Sequence, residues 1–167
     1  SSGDSSNAFS AELQSHWGTH IDAPHHFFTN GNAIGTYPAT DLVFTAPRVL
    51  ETSLQPSEIL HSSKVIADVC RDCDLLLIKS GWWQLRGEPV YCQENPGIAP
   101  EFALQLRTQV PLLRAVGVDW ISISAFRHRD LGRDAHRAFL DPAGVNHSLL
   151  IVADMDLCTD LAGLKRG

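Results

Sequence analysis

The run Leu75-Leu76-Leu77-Ile78 in "DLLLIKSGWW" is apolar at every position and stops short of Gly81. A strand with one wet face alternates polar and apolar residues, so an uninterrupted run fits a strand covered on both faces. "SLLIVADMDL" reads as a second, final buried strand. "FTAPRVLE" reads as another, with Pro47 placing it at an edge or a strand start. "VDWISIS" is expected to be a strand because Val118, Trp120 and Ser122 alternate with Asp119 and Ile121. Between the runs the period changes. Phe102, Leu106, Leu113 and Val116 recur at near-helical spacing, with Pro111 expected to split this helix in two and Gly117 to end it. "QPSEILHSS" suits a short helix with Pro56 in its first turn, and "RDLGRDAHRAFL" suits a short irregular one. Residues 8–22 suit an extended segment, and "TNGNAIGTYPATD" and "PVYCQENPGIAPE" read as loops. Strands separated by short helices predict an α/β fold with a mixed sheet. At 167 residues and without internal repeats, the chain is expected to form one domain spanning 1–167.

The hydrophobic fraction of 44% and charged fraction of 19% are those of an ordinary globular protein. No apolar run reaches the length of a membrane span, and the opening "SSGDSSNAFS" lacks the basic end and apolar block of a signal peptide. A net charge of −6 argues against nucleic acid as a partner. The cluster Arg127, Arg129, Arg133 and Arg137 is interleaved with Asp130 and Asp134, so it is not an uncompensated phosphate-tracking surface. Cys70 and Cys73 form a C-x-x-C without the second pair a zinc ribbon needs. They are read as reduced thiols of a cytoplasmic protein, the alternative being a redox dithiol.

Half of the eight histidines fall in "HWGTHIDAPHHFF", residues 16–28. A helix would set His16 and His20 on one face, but Gly18, Thr19, Ile21 and Pro24 disfavour a helix there. On a strand His16, His20 and Asp22 share a face. Positions four apart on a flat strand are about 13 Å from each other, too far for joint ligation, so a bend at Gly18 is expected to gather them. Two imidazoles and a carboxylate suit a divalent ion such as zinc or manganese. Pro24 ends the strand and leaves His26 beside the cluster, a place for an acid/base group, while His25 points away.

"HWGTHIDAPHHF" closely resembles the H-x-G-T-H-x-D-x-P-x-H signature of the cyclase family of metal-dependent hydrolases. Its members include bacterial kynurenine formamidase, isatin hydrolase and trans-dienelactone hydrolase. "DLLLIKSGWW", "ENPGI", "VGVDWISIS" and "AHRAFL" are similar to the family too, and "ADMDL" leans towards the isatin hydrolase branch. The resemblance implies a swivelling β/β/α domain assembled as homodimers or larger. It implies that His16, His20 and Asp22 bind a first metal, that His26 is the catalytic histidine, and that Asp22 and His136 serve a second metal. The family's remaining second-site ligand is a glutamate in the last strand. Here that strand reads "IVADMDL" with Ala153 at the matching position, and a methyl group ligates nothing. The family's N-terminal strand and its C-terminal "PL…G…G-S-P-x-R" segment are missing from the sequence. Either this is a piece of a longer chain or a partner subunit supplies the edges.

The expected activity is hydrolysis of an amide, cyclic amide or lactone of a small, aromatic molecule by metal-activated water. The alternative is an impaired or non-catalytic metal-binding scaffold of the same fold, as Ala153 would suggest. Phe27 and one of Trp82 and Trp83 are candidates to wall an aromatic pocket, the other tryptophan packing in the core. His128 is placed at a strand end, in contact with substrate or solvent. His61 and His147 read as structural. The arginines are expected to pair with nearby acids, with one of them available to hold a product carboxylate.

Overall fold

The structure is a computed structural model that describes residues 8–61 and 70–158, and the backbone of 165–166. The first seven residues of the lead-in and the end of "QPSEILHSS" lie outside the described residues. Eight strands are described: β1 (His20–Asp22), β2 (Pro47–Glu51), β3 (Ile59–Leu60), β4 (Leu75–Lys79), β5 (Gly97–Ile98), β6 (Ala115–Val118), β7 (Leu150–Ala153) and β8 (Lys165–Arg166). The helices are α1 (Pro89–Gln93), α2 (Pro100–Gln109) and α3 (Arg129–Leu140), joined by several 3-10 turns.

Six strands form one sheet in the order β1-β7-β6-β4-β2-β8, and β3 pairs with β5 in a small second ladder. All neighbours in the large sheet are parallel except β1, which runs antiparallel to β7. The mixed α/β sheet of the sequence reading is therefore present. The apolar runs explain its interior. Leu76 and Ile78 point to the core that also holds Phe102, Leu106, Phe139 and Leu140 of α2 and α3. Val49 and Leu77 point to the opposite face, where Leu157 covers them. A strand with both faces buried needs apolar residues at every position, as the β4 run supplies.

Several local expectations are corrected. "QPSEILHSS" contributes β3 in place of a helix, because Ser57 adopts φ 59 and the next residues pair with Gly97 and Ile98. "PVYCQENPGIAPE" is not all loop, since Pro89 starts α1 and Gly97–Ile98 is β5. The helix from Pro100 ends at Gln109 without a second piece beyond Pro111, whose ring disfavours helical geometry at Val110 (φ −124, ψ 73). Gly117 consequently lies inside β6, and the strand expected over "VDWISIS" occupies Ala115–Val118. It stops there because the buried Asp119 turns to accept hydrogen bonds from Ser80 N, Ser80 Oγ and Gly81 N. "RDLGRDAHRAFL" is a regular helix of 12 residues, its carboxyl end capped by the buried Arg107, which donates to the carbonyls of Ala138 and Asp141.

Candidate metal centre

Three elements meet at one end of the sheet. β1 carries His20 and Asp22, the 3-10 turn Pro24–His26 carries His26, and α3 carries His136. His16 lies outside the strand, and Gly18 brings it back: its φ of 72 is left-handed, which a glycine adopts without the Cβ penalty. The bend is thus a turn before a three-residue strand, not a bulge within a longer one. It sets the His16 ring 4.9 Å from that of His20 and 4.5 Å from that of His26. α3 reaches the site by a close approach at Gly132, where a Cβ would lie 2.1 Å from Ser124 Oγ.

Asp22 is the hub. It is 5% exposed, and its Oδ1 lies 3.2 Å from His16 Nε2 and 3.8 Å from His20 Nε2. Its Oδ2 lies 3.8 Å from His136 Nε2, so the carboxylate faces imidazoles on both sides. His16, Asp22 and His26 form a compact trio, with one ligand atom of each within 4.8 Å of the others.

The far nitrogens settle which atom each ring offers. His20 Nδ1 donates to the Gly18 carbonyl at 2.8 Å, and His136 Nδ1 donates to the Gly132 carbonyl at 2.8 Å. A carbonyl only accepts, so Nδ1 carries a proton, and in the neutral ring it is Nε2 that turns its lone pair towards Asp22. This is the outer-shell arrangement by which metal-ligating histidines are oriented. Lone pairs and a buried carboxylate converging on one space repel each other unless a cation or protons lie between them. The donor set therefore fits a divalent ion.

Burial holds the His136 imidazole below the ordinary histidine value, only partly offset by the Gly132 carbonyl and Asp22. His26 is lowered as well, first by partial burial and then by His16 and His20, against the attraction of Asp22. Both rings are thereby biased to the neutral form that ligates a metal or accepts a proton.

The cavity at the cluster has a volume of about 370 Å³ and is walled by Phe27, Ile121, Ser122 and Ser124. Phe27 stacks on the His136 ring, centroids 5.0 Å apart and planes 16° from parallel. Sequence reasoning misses Ile121, Ser122 and Ser124, because the alternation in "VDWISIS" places them in a strand. The signal for a turn there is the acid Asp119 just before them, whose carboxylate needs donors that a ladder of apolar strands does not supply.

Ala153 is 1% exposed and pairs directly opposite His20, so its methyl shares the face of the cluster. Asp154 is turned away, with φ 57, and its carboxylate is taken by Arg86 at 2.6 Å and by the Tyr91 hydroxyl. No second carboxylate of the described residues reaches the Asp22–His136 side.

The other singled-out residues lie apart. His25 is exposed and does not line the cavity walled by Phe27, but it borders another opening with His16, Asp22 and His26; His128 is exposed at the cap of α3. His61 pairs with Glu101, and His147 binds the Leu113 carbonyl. Trp82 packs in the core, while neither tryptophan lines the cavity. Cys70 and Cys73 are buried free thiols. Arg127, Arg133 and Arg137 pair with Glu94, Asp130 and Asp134 as expected, whereas Arg129 pairs with no acid among the described residues and lies over the Phe126 ring.

No helix among the described residues is long and apolar enough to cross a membrane. No curated protein matches the chain. Among solved structures, isatin hydrolase A from Labrenzia aggregata, bound to benzyl benzoate, is similar with a TM-score of 0.69 at 20% identity, covering 92% of this chain and 64% of that one. Isatin hydrolase A from Ralstonia solanacearum has a TM-score of 0.64 at 19% identity, covering 90% and 62%. A predicted metal-dependent hydrolase from Bacillus stearothermophilus has a TM-score of 0.59 at 22% identity, covering 90% and 65%. The chain thus spans less than two thirds of the length of these three proteins, and the likeness is one of fold. A family model described as putative cyclase matches residues 4–125, which include the whole histidine stretch but stop short of His136 and of β7, the strand that pairs with β1. The chain belongs to the putative cyclase family.

Proposed function

We propose that the chain is a metal-dependent hydrolase that cleaves an amide, or a cyclic amide or lactone, of a small aromatic molecule. The observation that carries this reading is the buried Asp22 carboxylate, held among the Nε2 atoms of His16, His20 and His136. His16, His20 and Asp22 would hold zinc or manganese, both of which accept this donor set. When bound, such an ion supplies Lewis acidity, which acidifies water and polarises a carbonyl. His136 completes the far side of Asp22, but with Ala153 offering no donor we assign one ion to the site.

His26 is the acid/base group in this reading. It stands at the rim with its ring against that of His16, and its lowered proton affinity leaves it neutral near pH 7. Neutral imidazole accepts the proton of the attacking water and returns it to the leaving nitrogen or oxygen as the carbonyl–heteroatom bond breaks. The product is a carboxylate. Phe27, fixed by its stack on His136, offers a flat face to an aromatic substrate. A non-catalytic metal-binding scaffold is the second reading, favoured by Ala153 alone.

Metal analysis of protein purified without added ions, followed by turnover assays on a small panel of anilides, cyclic amides and lactones, tests the proposal. Stoichiometric metal with turnover of at least one member is expected. Bound metal without turnover would select the scaffold, and absence of metal binding would refute both readings.

A further inference from the structure

The ladder between β1 and β7 ends at the pair His20–Ala153. One residue further out Thr19 comes opposite Asp154, and there the backbone changes partners: the Asp154 amide donates to the Trp120 carbonyl at 2.8 Å. The Thr19 hydroxyl takes over the link and donates to the Asp154 carbonyl at 2.6 Å. The bend that carries His16 lies just beyond this bond. The His16 side chain is 48% exposed, against 12% for His20, and the Trp17 amide bonds locally, to the Gln14 carbonyl. Thr19 thus ties the most exposed of the proposed ligands to the sheet.

Asp154 does not hold that carbonyl in place by its own preference. Its φ of 57 is left-handed, a region that crowds the Cβ of any residue but glycine. Arg86, 68 positions earlier in the chain, holds it there. One nitrogen, Nη2, donates to the Asp154 carbonyl at 2.9 Å and to its carboxylate at 2.6 Å. The Tyr91 hydroxyl donates to the same carboxylate oxygen, and the guanidinium lies over the Tyr91 ring, 5.7 Å from the centroid. Without the arginine the buried carboxylate keeps one neutral donor, and so poorly matched a charge draws its residue towards water. The carbonyl that receives Thr19 turns with it, because both groups hang on one strained backbone position.

We propose that Arg86 is a positioning residue of the metal centre: by clamping Asp154 at both carbonyl and carboxylate, it fixes the acceptor on which Thr19 anchors the bend that carries His16. The inference rests on the metal-site part of the hydrolase reading. Arg86 offers no donor atom to a cation and acts through Asp154 and Thr19. Its effect falls on metal affinity, because a bend that is already ordered loses less conformational freedom when the ion is bound.

The test is a double-variant cycle read by calorimetric titration of manganese into metal-free protein. Arg86→Met and Thr19→Val are each expected to weaken manganese binding about tenfold, as loss of one hydrogen bond implies. The double variant should bind no more weakly than Thr19→Val alone, because the arginine works through the bond that valine has already removed. Thr19→Ser keeps a hydroxyl and should bind about tenfold more tightly than Thr19→Val. Wild-type affinity in Arg86→Met, even with an earlier melt of the metal-free protein, would overturn the inference and leave the arginine a purely structural residue. Independent losses that multiply to about a hundredfold in the double variant would overturn it too. If Arg86→Met does not fold, Asp154→Ala and Asp154→Gly decide the matter: only glycine takes the left-handed position freely, so alanine should bind manganese about tenfold more weakly, and equal affinities would sink the inference. Absence of manganese binding by the wild type overturns the metal centre together with this inference, whereas binding that is indifferent to Arg86 leaves the metal centre standing.

Discussion

Replacing Asp22 by asparagine should uncouple the protein from metal without dismantling the fold. The amide matches the carboxylate in shape, so what is lost is one negative charge at the centre of the imidazole cluster. At ~4 Å and an effective dielectric of about 20, a unit charge pair is worth roughly 4 kcal/mol, or about 10³ in affinity. Suppose metal is present at about 100 times the wild-type Kd. The native state then gains ~2.7 kcal/mol, which raises Tm by about 5–11 °C in a chain of this size. At the same concentration the variant sees only about a tenth of its own Kd, and its shift falls below ~1 °C. Differential scanning fluorimetry with manganese, with zinc and with chelator reads both numbers. Glu101→Gln, which disturbs only the exposed pair with His61, should keep the full shift. A metal-induced shift in Asp22→Asn equal to that of the wild type would refute the assignment of Asp22 as the hub of a cation site.

Three further outcomes are expected. His26→Ala should retain bound metal while turnover falls on the order of 10²-fold or more; loss of metal would instead make His26 a ligand, as its closeness to His16 and Asp22 also allows. Ala153→Glu places a carboxylate opposite His20 and should raise metal stoichiometry from one towards two, measured by elemental analysis. Its apo form should melt earlier than the wild type because an unpaired acid is then buried. Asp74 sets an acid limit to stability: burial alone would raise its pKa, but the amides of Thr45 and Ala46 and the Arg114 guanidinium outweigh that and hold it below the ordinary 3.8. A depressed native pKa gives stability that is full above the unfolded value and is lost as pH falls through the native one. Denaturant midpoints should therefore fall less steeply below pH 4 for Asp74→Asn than for the wild type, and parallel curves would show that the carboxylate contributes nothing.

Local chemistry made much of this protein legible before any coordinates. The apolar run at Leu75–Ile78 required a strand covered on both faces, and β4 is such a strand. Gly18 and Pro24, between and after the histidines, required a bend and a stop, and both are present. Signals of this kind reside in a few adjacent residues, so they survive without knowledge of what packs against them. Element boundaries did not survive as well. Ile59–Leu60 became a strand only because Gly97–Ile98 lies alongside, and β6 ended at Val118 only because Asp119 found the amides of Ser80 and Gly81. Those outcomes depend on partners roughly 40 positions away, which no local period records. The same holds for the site. Which histidines carry donor atoms was written in the chain, but the tertiary structure alone decided that α3 crosses at Gly132 to bring His136 against Asp22. It alone left Ala153 facing His20, because distances between remote segments are set by packing and not by spacing along the chain.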